Sequence, residues 1–252
     1  MVAGKGIQLL KNAGCNVITG VLEEECRAHH KRFFTVQEKK RPFIILKWAA
    51  TKDGFISPKL DLGLTSEISK KIKNNNPIWI TNTYSQQLVH KWRSEEHAIL
   101  VGTNTVIADN PRLNVRSWNG ESPIRVILDR NLRIPENANV LDGSVKTIMI
   151  TAKGKQQKAN SKEQVVFEFI DFSKNLAKQI CKVLYKHKIQ SIIIEGGNQT
   201  LQTFIDESLW DEARVFKSDK TFEKGIKTPQ FTKTYFKETH IKNDTLKIYK
   251  NA

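Results

Sequence analysis

With 252 residues, 39% of them hydrophobic and 27% charged, the chain has the composition of a soluble globular protein, long enough for one large domain or one domain with an appendage. No apolar run approaches the roughly 18 residues that span a bilayer, and no signal segment precedes a cleavage site, so we expect a cytoplasmic protein without a membrane partner. The net charge of +15 would suit nucleic acid. The lysines of the chain, however, lie in separate tracts without interleaved aromatic residues, so we expect no nucleic-acid partner. Small ligands that carry phosphate explain the positive charge equally well.

The first 36 residues predict three short elements that cannot form a core alone. A short amphipathic helix ends at Gly14, an apolar strand covers 16–21, and a charged helix covers 22–34. This segment resembles the last unit of a domain whose beginning is absent. Residues 37–41 then form a predicted basic linker, and the main domain occupies 42–252.

The same segment places carboxylate, thiol and imidazole groups close together, which is a pattern that metal sites use. They are Glu23, Glu24, Glu25, Cys26, His29 and His30. The two adjacent imidazoles would point about 100° apart on a helix, and no HExxH spacing is present. The chain's three cysteines include no CxxC pair. We therefore expect neither a metal ion nor a disulfide framework.

The main domain begins with a nearly continuous apolar stretch, Pro42 to Ala49, which is typical of a central strand buried on both faces. Lys47 interrupts it. Because burial of an unpaired ammonium is costly, we expect Lys47 to reach a phosphate, a carboxylate or a cleft. The alternative is that the side chain extends to the rim of the sheet. A polar insertion at 57–76 is predicted to be a surface loop with one helical piece.

A helix over 84–95 precedes the most informative stretch, which is 97–116. Here a buried strand is predicted to end at Gly102, followed by a loop of small polar residues and a polar turn at 109–112. Such an arrangement is the usual geometry of a site at the carboxyl end of a strand in an α/β sheet. An ordinary strand-to-helix connection explains these residues equally well.

A second junction of this kind follows near the end of the chain. The strand predicted at 191–197 ends in Glu195 and two glycines, and a helix begins at Asn198. Free N–H groups at such a helix start can bind an anion, although the motif is common. Glu195 is predicted either to face solvent or to point at a ligand.

The remaining pattern predicts alternating strands and helices and then a hairpin. Strands are predicted at 124–129, 147–151, 164–169, 213–217 and 230–236, a helix at 173–188, and a hairpin at 239–249. The prediction is an α/β domain with a mostly parallel sheet and an antiparallel edge. No GxGxxG follows a strand, so the residues alone indicate an α/β enzyme or binder with a cleft for anionic ligands.

Four segments at these positions resemble the bifunctional riboflavin-biosynthesis deaminase/reductase family. They are VLEEEC (21–26), LKWAATKDGFI (46–56), HAILVGTNTVIADNPRLNVR (97–116) and IIEGGNQTL (193–201). The resemblance implies that 1–36 is the C-terminal remnant of a cytidine-deaminase-like domain. It implies that 42–252 is a reductase domain with a dihydrofolate-reductase-like fold, in which helices flank a mostly parallel sheet with a C-terminal antiparallel hairpin.

The implied reaction reduces the ribosyl side chain of 5-amino-6-(5-phosphoribosylamino)uracil to ribityl, with NADPH as the hydride donor. The family's zinc-binding signature, a His-x-Glu followed by a cysteine pair, is absent, so deamination is predicted to be missing. The expected partners are the phosphorylated aminopyrimidine, a second copy of the chain in a homodimer, and a separate deaminase. Alternatives are an inactive binding subunit and a reductase of another pterin or pyrimidine.

The resemblance also assigns residues to the two ligands by position. Cofactor contacts are expected from Ala49, Trp79, Thr105, Asp109, Gly197, Asn198, Gln199, Thr200, Leu201, Gln202 and Thr203, and substrate contacts from Arg93, Leu113, Arg116 and Glu195. Two guanidiniums suit a phosphomonoester, and the Gly-Gly helix start suits a pyrophosphate. Pro77 stands where family members often have a substrate-contacting serine.

Lys47 and Glu195 are the catalytic candidates, for polarising or protonating the sugar oxygen or a ring nitrogen during hydride delivery. The hypothesis requires that the tips of three neighbouring strands converge. These tips carry Lys47, the loop that ends at Asp109, and Glu195.

Overall fold

The computed structural model describes residues 4–58, 78–152 and 164–251, and an α/β sheet forms its centre. The helices are α1 (Lys5–Asn12), α2 (Glu23–His29), α3 (Lys31–Lys39), α4 (Thr83–Glu95), α5 (Thr103–Asp109), α6 (Leu176–Lys186) and α7 (Asn198–Asp206). The strands are β1 (Phe43–Ala50), β2 (Phe55–Pro58), β3 (Ala98–Gly102), β4 (Ile124–Leu128), β5 (Thr147–Ala152), β6 (Val165–Ile170), β7 (Ser191–Ile194), β8 (Glu212–Lys217), β9 (Gly225–Lys227), β10 (Lys237–Ile241) and β11 (Asp244–Lys250). Most of the predicted insertion, together with Pro77, lies outside the described residues.

The main sheet has the strand order β10-β11-β8-β1-β7-β3-β4-β5-β6. All neighbouring strands from β8 to β6 are parallel, whereas β11 pairs antiparallel with both β8 and β10. Strands β2 and β9 form a separate antiparallel ribbon. The predicted α/β class, with a mostly parallel sheet and a C-terminal antiparallel hairpin, is confirmed.

Successive side chains of β1 point to opposite faces of the sheet and pack into two different hydrophobic clusters. Ile44 and Leu46 belong to the cluster that packs under α6 and α7, and Phe43 and Ile45 belong to the cluster that packs under α4. Because side chains alternate along a strand, Lys47 lies on the α4 face, where its neighbours would otherwise be apolar. No helix within the described ranges is long and apolar enough to cross a membrane.

The N-terminal predictions were partly wrong. Residues 15–20 form no regular element, and Ile18 and Val21 are 76% and 67% exposed, because no strand of the described residues pairs with them. The single helix predicted at 22–34 is divided at His30 into α2 and α3. Helix α3 continues to Lys39, so it includes most of the predicted linker.

Ion pairs attach α3 and the residues after it to the sheet. Lys31 Nζ lies 2.8 Å from Glu212 Oε2, Arg32 pairs with the buried carboxylate of Glu96, and Arg41 is bound through both guanidinium branches to Asp211. Since such pairs keep both charges compensated in a partly buried setting, they hold α3 against the main domain.

Two further predictions were wrong. The small polar loop after β3 is helix α5, and the Thr103 hydroxyl at its start donates to Leu128 O at 2.7 Å. Residues 230–236 are not a strand, because both sides of β11 are already occupied and the Phe231 ring packs between Trp48 and Tyr249 instead. In both places a tertiary contact decided the conformation.

Candidate active site

Strand register places the two catalytic candidates side by side. Leu46 of β1 pairs with Ile194 of β7, so the next residues, Lys47 and Glu195, lie beside each other at the carboxyl ends of parallel strands. Lys47 Nζ is 3.9 Å from Glu195 Oε2. Both side chains are largely buried, with exposures of 16% and 10%. Lys47 therefore has the carboxylate partner that its burial requires.

Glu195 is held mainly by Arg93 from α4. Arg93 Nη2 donates to Glu195 Oε2 at 2.8 Å and Arg93 Nε donates to Oε1 at 3.3 Å. Burial alone would raise the pKa of Glu195, but the charges of Arg93 and Lys47 outweigh it and lower the pKa to about 2. Glu195 is therefore a carboxylate at neutral pH, and it cannot act as the acid.

Lys47 is better suited to give up a proton than an exposed lysine is. Burial lowers the pKa of its ammonium, and the nearby charge of Arg93 lowers it further, while Glu195 opposes both. A lowered lysine pKa brings a proton donor closer to the pH at which it works. The pair thus combines an ammonium of lowered pKa with a carboxylate that is ionised at neutral pH.

A turn after α5 closes the same region. Leu113 is buried and has a left-handed backbone, with φ of 54°. His90 Nδ1 accepts a hydrogen bond from the Arg116 N–H at 3.4 Å, and Arg93 Nη1 donates to Asn114 O at 3.4 Å. The buried imidazole thus holds the turn that carries Arg116 beside the Lys47 and Glu195 pair.

We expect His90 to make the protein less stable as the pH falls from 6.5 towards 4. Burial, together with the charges of Arg93 and Arg116, lowers the pKa of His90 from 6.5 to about 4. The unfolded chain therefore binds a proton in this window that the folded chain does not, and the free energy of unfolding falls on acidification. Denaturant titrations between pH 7 and 4.5 measure the loss, and His90→Gln is expected to reduce it. An NMR titration that gave His90 a pKa near 6.5 would contradict this.

A cavity of about 520 Å³ opens beside this cluster, between the start of α5, the end of β4 and the start of α7. It is lined by Gly102, Thr103, Asn104, Thr105, Leu128, Asp129, Arg130, Asn131, Arg133, Phe172, Leu176, Ile180, Gly197, Asn198, Gln199, Thr200, Thr203, Phe204 and Ile226. Six of the predicted cofactor residues are among these. They are Thr105, Gly197, Asn198, Gln199, Thr200 and Thr203.

Close backbone approach explains the glycines at the mouth of this cavity. A Cβ on Gly196 would lie 3.0 Å from Thr105 Oγ1 and 3.3 Å from Val101 Cγ1, and a Cβ on Gly102 would lie 2.9 Å from Thr200 Oγ1. Gly196 and Gly197 also have positive φ, of 149° and 58°. The two strand-to-helix junctions therefore meet through Thr105 and Thr200.

We expect Gly196→Ala to destabilise the protein by about 1–3 kcal/mol, because it adds both a contact and an unfavourable backbone conformation. Displacement of Thr105 should also weaken binding of a ligand in the cavity. Thermal unfolding and NADPH titration measure the two effects. The matched control is Gly6→Ala, which meets open space in α1 and should be neutral or slightly stabilising. Equal behaviour of the two variants would disprove this explanation.

The other predicted site residues lie at varying distances from this centre. Asp109 ends α5 on the exposed surface, where its side chain forms no hydrogen bond or ion pair with a described residue. Trp79 is exposed, and Ala49 is partly buried against the α4 cluster. Leu201 faces the core, and Gln202 binds Asp206 and the Gln230 N–H, so neither side chain lines the cavity. Of the three predicted strand tips, those of β1 and β7 bring Lys47 and Glu195 together, and β3 contributes through Thr105.

Sequence reasoning missed His90, Arg130 and Arg133. The two arginines lie in the turn that follows the buried strand β4, and residues at the carboxyl end of a strand in an α/β sheet are candidates for a site. His90 gave no signal, because a single histidine on an amphipathic helix is usually structural. Among the described residues, no three His, Cys, Asp or Glu side chains are grouped as metal ligands would be. Cys15 and Cys26 are exposed free thiols, and Cys181 is a buried one.

The buried charged cluster and the cavity both lie at the carboxyl ends of parallel strands. This is where α/β enzymes bind their ligands, so the fold and the site define an α/β domain of the enzyme class. The sequence profile of the RibD C-terminal domain matches residues 42–246. The chain belongs to the RibD C-terminal domain family.

Individual relatives agree with this assignment. The chain is 39% identical over 228 residues to a riboflavin biosynthesis protein RibD of Aquifex aeolicus, with 90% of this chain and 60% of the relative covered. For the RibD of Actinobacillus pleuropneumoniae the identity is 30%, with 91% and 59% covered. The chain thus spans about three fifths of the length of these curated relatives.

Solved structures show the same fold. A deaminase/5-amino-6-(5-phosphoribosylamino)uracil reductase from Thermotoga maritima superimposes with a TM-score of 0.83 at 29% identity, covering 100% of this chain and 68% of that one. Acinetobacter baumannii RibD gives 0.81 at 24% identity, covering 99% and 69%.

Proposed function

We propose that this chain reduces 5-amino-6-(5-phosphoribosylamino)uracil to its ribitylamino product with NADPH. The observation that carries the proposal is the buried Lys47, Glu195 and Arg93 cluster beside a glycine-lined cavity, in a chain of the RibD C-terminal domain family. The Thermotoga maritima relative is a 5-amino-6-(5-phosphoribosylamino)uracil reductase as well as a deaminase.

The lining of the cavity supports a nicotinamide dinucleotide as its ligand. The start of α7 presents free N–H groups and a positive helix end to a pyrophosphate. The buried Oδ1 of Asn198, which has no hydrogen-bond partner among the described residues, is an acceptor available to such a ligand. Bound NADPH would supply the hydride.

The protein's own groups have distinct roles in this proposal. Reduction breaks the bond between C1' and the ring oxygen of the ribosyl group, adds a hydride at C1' and adds a proton to the released oxygen. Lys47 supplies that proton from its ammonium. Glu195 remains ionised, holds Lys47 in place and stabilises the positive charge that develops at C1' and its nitrogen.

Arg116 is the better candidate for the substrate phosphate. Arg93 already gives two of its nitrogens to Glu195, so it has fewer donors left for a phosphate. Arg116 is exposed and donates only to the amide oxygen of Asn114 among the described side chains, at 3.3 Å. Its guanidinium, held by the His90 turn, is free to bind a phosphomonoester.

We also propose that the protein is cytoplasmic and that its N-terminal segment binds a partner. Several large apolar side chains of this segment are exposed, namely Leu9, Leu10, Ile18, Val21, Leu22 and Phe33. A second copy of the chain or a separate deaminase would cover them. Sedimentation of the protein alone and with a deaminase separates these two arrangements.

Loss of NADPH absorbance on addition of the aminouracil phosphate tests the proposed reaction. We expect turnover that requires the phosphorylated substrate and is inhibited by ribose 5-phosphate. NADPH binding without turnover would contradict the proposed reaction and indicate an inactive binding subunit. Turnover with dihydropterins but not with the aminouracil phosphate would indicate a reductase of a different substrate.

A further inference from the structure

A second cluster of charges lies beside β1, the strand that carries Lys47. We call it the α3 cluster, and its members are Lys31, Arg32, Glu96, Glu212 and Arg214. Two of its cations come from α3, and its other members come from β8 and from the end of α4. The carboxylate of Glu96 is fully buried. Because a buried carboxylate is costly unless cations and donors compensate it, Glu96 depends on the cations around it.

Arg32 is the cation that binds this carboxylate most closely. Its Nε donates to Glu96 Oε2 at 2.8 Å and its Nη2 donates to Glu96 Oε1, so the guanidinium binds both oxygens. The next cation is Arg214, whose Nη2 lies 3.8 Å from Glu96 Oε1. Across the described part of the chain, no other cation pairs with Glu96. Without Arg32, the end of α4 would therefore have to move to bring the buried carboxylate closer to Arg214 or to water.

Glu96 is joined directly to the helix that holds the catalytic pair. It is the residue after α4, and its N–H donates to Trp92 O at 3.1 Å. Arg93, which binds Glu195 through two nitrogens, belongs to the same last turn of the helix. Glu195 is held separately, since its N–H donates to Leu100 O at 2.9 Å. A shift of the last turn of α4 would therefore move Arg93 relative to a carboxylate that stays in place.

A second connection between the α3 cluster and the catalytic pair runs through β8. Arg214 pairs in register with Lys47 on the neighbouring strand, so the two side chains lie next to each other on one face of the sheet. Other groups hold the Arg214 guanidinium: its Nε donates to Glu212 Oε1 at 2.7 Å, and its Cζ lies 4.5 Å from the centroid of the Trp92 ring. Movement of Arg214 towards Glu96 would therefore also change the surroundings of Lys47.

We propose that Arg32 is a positioning residue for the reduction. By binding Glu96 it fixes the last turn of α4. That turn holds Arg93 against Glu195 and so sets the charge around Lys47. The inference rests on the proposed function, because it concerns the same catalytic pair. Helix α3 then belongs functionally to the reductase domain, although it precedes the residues that match the family.

The titration of Lys47 tests the proposal without any turnover. Beside burial, which is the larger cause, the charge of Arg93 lowers the pKa of the Lys47 ammonium. Because Arg32→Met should allow Arg93 to move away from Glu195, we expect Lys47 to titrate at a higher pH in this variant than in the wild-type protein. NMR of protein with isotopically labelled lysine measures this pKa, and loss of the signal in Lys47→Met assigns it.

Turnover gives a second readout. We expect Arg32→Met to lower kcat by about two- to thirtyfold, the range for coupling through packed side chains, with little change in the KM for NADPH. The pH above which kcat falls should rise together with the pKa of Lys47, since the acid then keeps its proton to a higher pH. Adding Glu96→Gln to Arg32→Met should cost no further turnover, because Arg32 acts through Glu96.

Arg27→Met is the matched control. It removes a guanidinium from an exposed ion pair with Glu38 in the same N-terminal segment, and it should leave both readouts unchanged. Thermal unfolding of each variant checks its fold. If Arg32→Met does not fold, Arg32→Lys replaces it, since a lysine keeps the charge but cannot bind both oxygens of Glu96 in a fork.

An unchanged titration of Lys47 in a folded Arg32 variant would overturn the proposal, even if kcat or the unfolding temperature fell, because α3 would then only stabilise the protein. Equal changes in Arg27→Met would also overturn it, since the effect would then come from the net charge of the segment. If the wild-type protein does not reduce the aminouracil phosphate, the proposed function fails. The titration of Lys47 would still decide whether Arg32 holds the buried pair in place.

Discussion

Lys47→Met is expected to lower kcat by about a thousandfold, since a positioned proton donor contributes roughly a hundredfold to ten-thousandfold. Methionine matches the apolar stem of the lysine side chain as far as Cε and lacks the ammonium. The Arg93 contacts to Glu195 stay in place, so the variant should fold and retain its NADPH affinity. Steady-state kinetics and cofactor titration measure the two quantities separately.

The control for this variant is Lys52→Met, which removes an ammonium from an exposed turn near the end of the same strand. It should have near-normal kcat. Full turnover by folded Lys47→Met would exclude the ammonium as the acid, and an equal loss in both variants would point to a general effect of charge.

Glu195→Gln is expected to destabilise the protein by about 3 kcal/mol, because removal of one partner from a buried charge pair leaves the others uncompensated. Two cations, Lys47 and Arg93, would remain in a largely buried position with only an amide oxygen between them. Turnover should fall together with stability, since Lys47 would lose the group that positions it. Denaturant unfolding at neutral pH gives the free energy directly.

Acid should reduce the difference between wild type and Glu195→Gln. The folded pKa of Glu195 is about 2, against 4.5 for an ordinary glutamate. Its stabilising contribution is therefore complete above pH 4.5 and is lost as the pH falls towards 2. Adding Lys47→Met should restore part of the lost stability, because it removes one of the two unpaired cations.

An exposed pair provides the comparison for this variant. Glu95→Gln breaks the contact of Glu95 with Lys91 on the surface of α4, and should change stability by less than about 1 kcal/mol. Equal stability losses for Glu95→Gln and Glu195→Gln would show that the buried cluster has no special energetic role.

The strongest sequence signals were residues that conflict with their surroundings. A lysine inside an apolar strand required a partner, and the structure provides Glu195 on the adjacent strand. The glycine pair before α7 also had a physical reason, since Gly196 leaves no room for a side chain beside Thr105. Such features are local, and they can be read without knowing the strand order.

The missed features depend on contacts between distant parts of the chain. The segment 16–21 has strand-like residues but no pairing strand in the part of the chain that the structure describes, and the Phe231 ring packs in an aromatic cluster and not in the sheet. The role of His90 depends on a backbone N–H that is 26 residues away. The sequence alone makes Arg93 a candidate for binding the substrate phosphate, but in the structure Arg93 pairs with Glu195. Local patterns contain no information on these pairings.

Transfer of a labelled hydride is the most direct test of the account. NADPH that carries deuterium at the transferred position is incubated with the aminouracil phosphate, and the product is analysed by mass spectrometry and NMR. We expect a single deuterium at C1' of the ribityl chain with wild type, and almost no labelled product from Lys47→Met in the same reaction time. An unlabelled product, or deuterium at any other carbon, would contradict the proposed reaction.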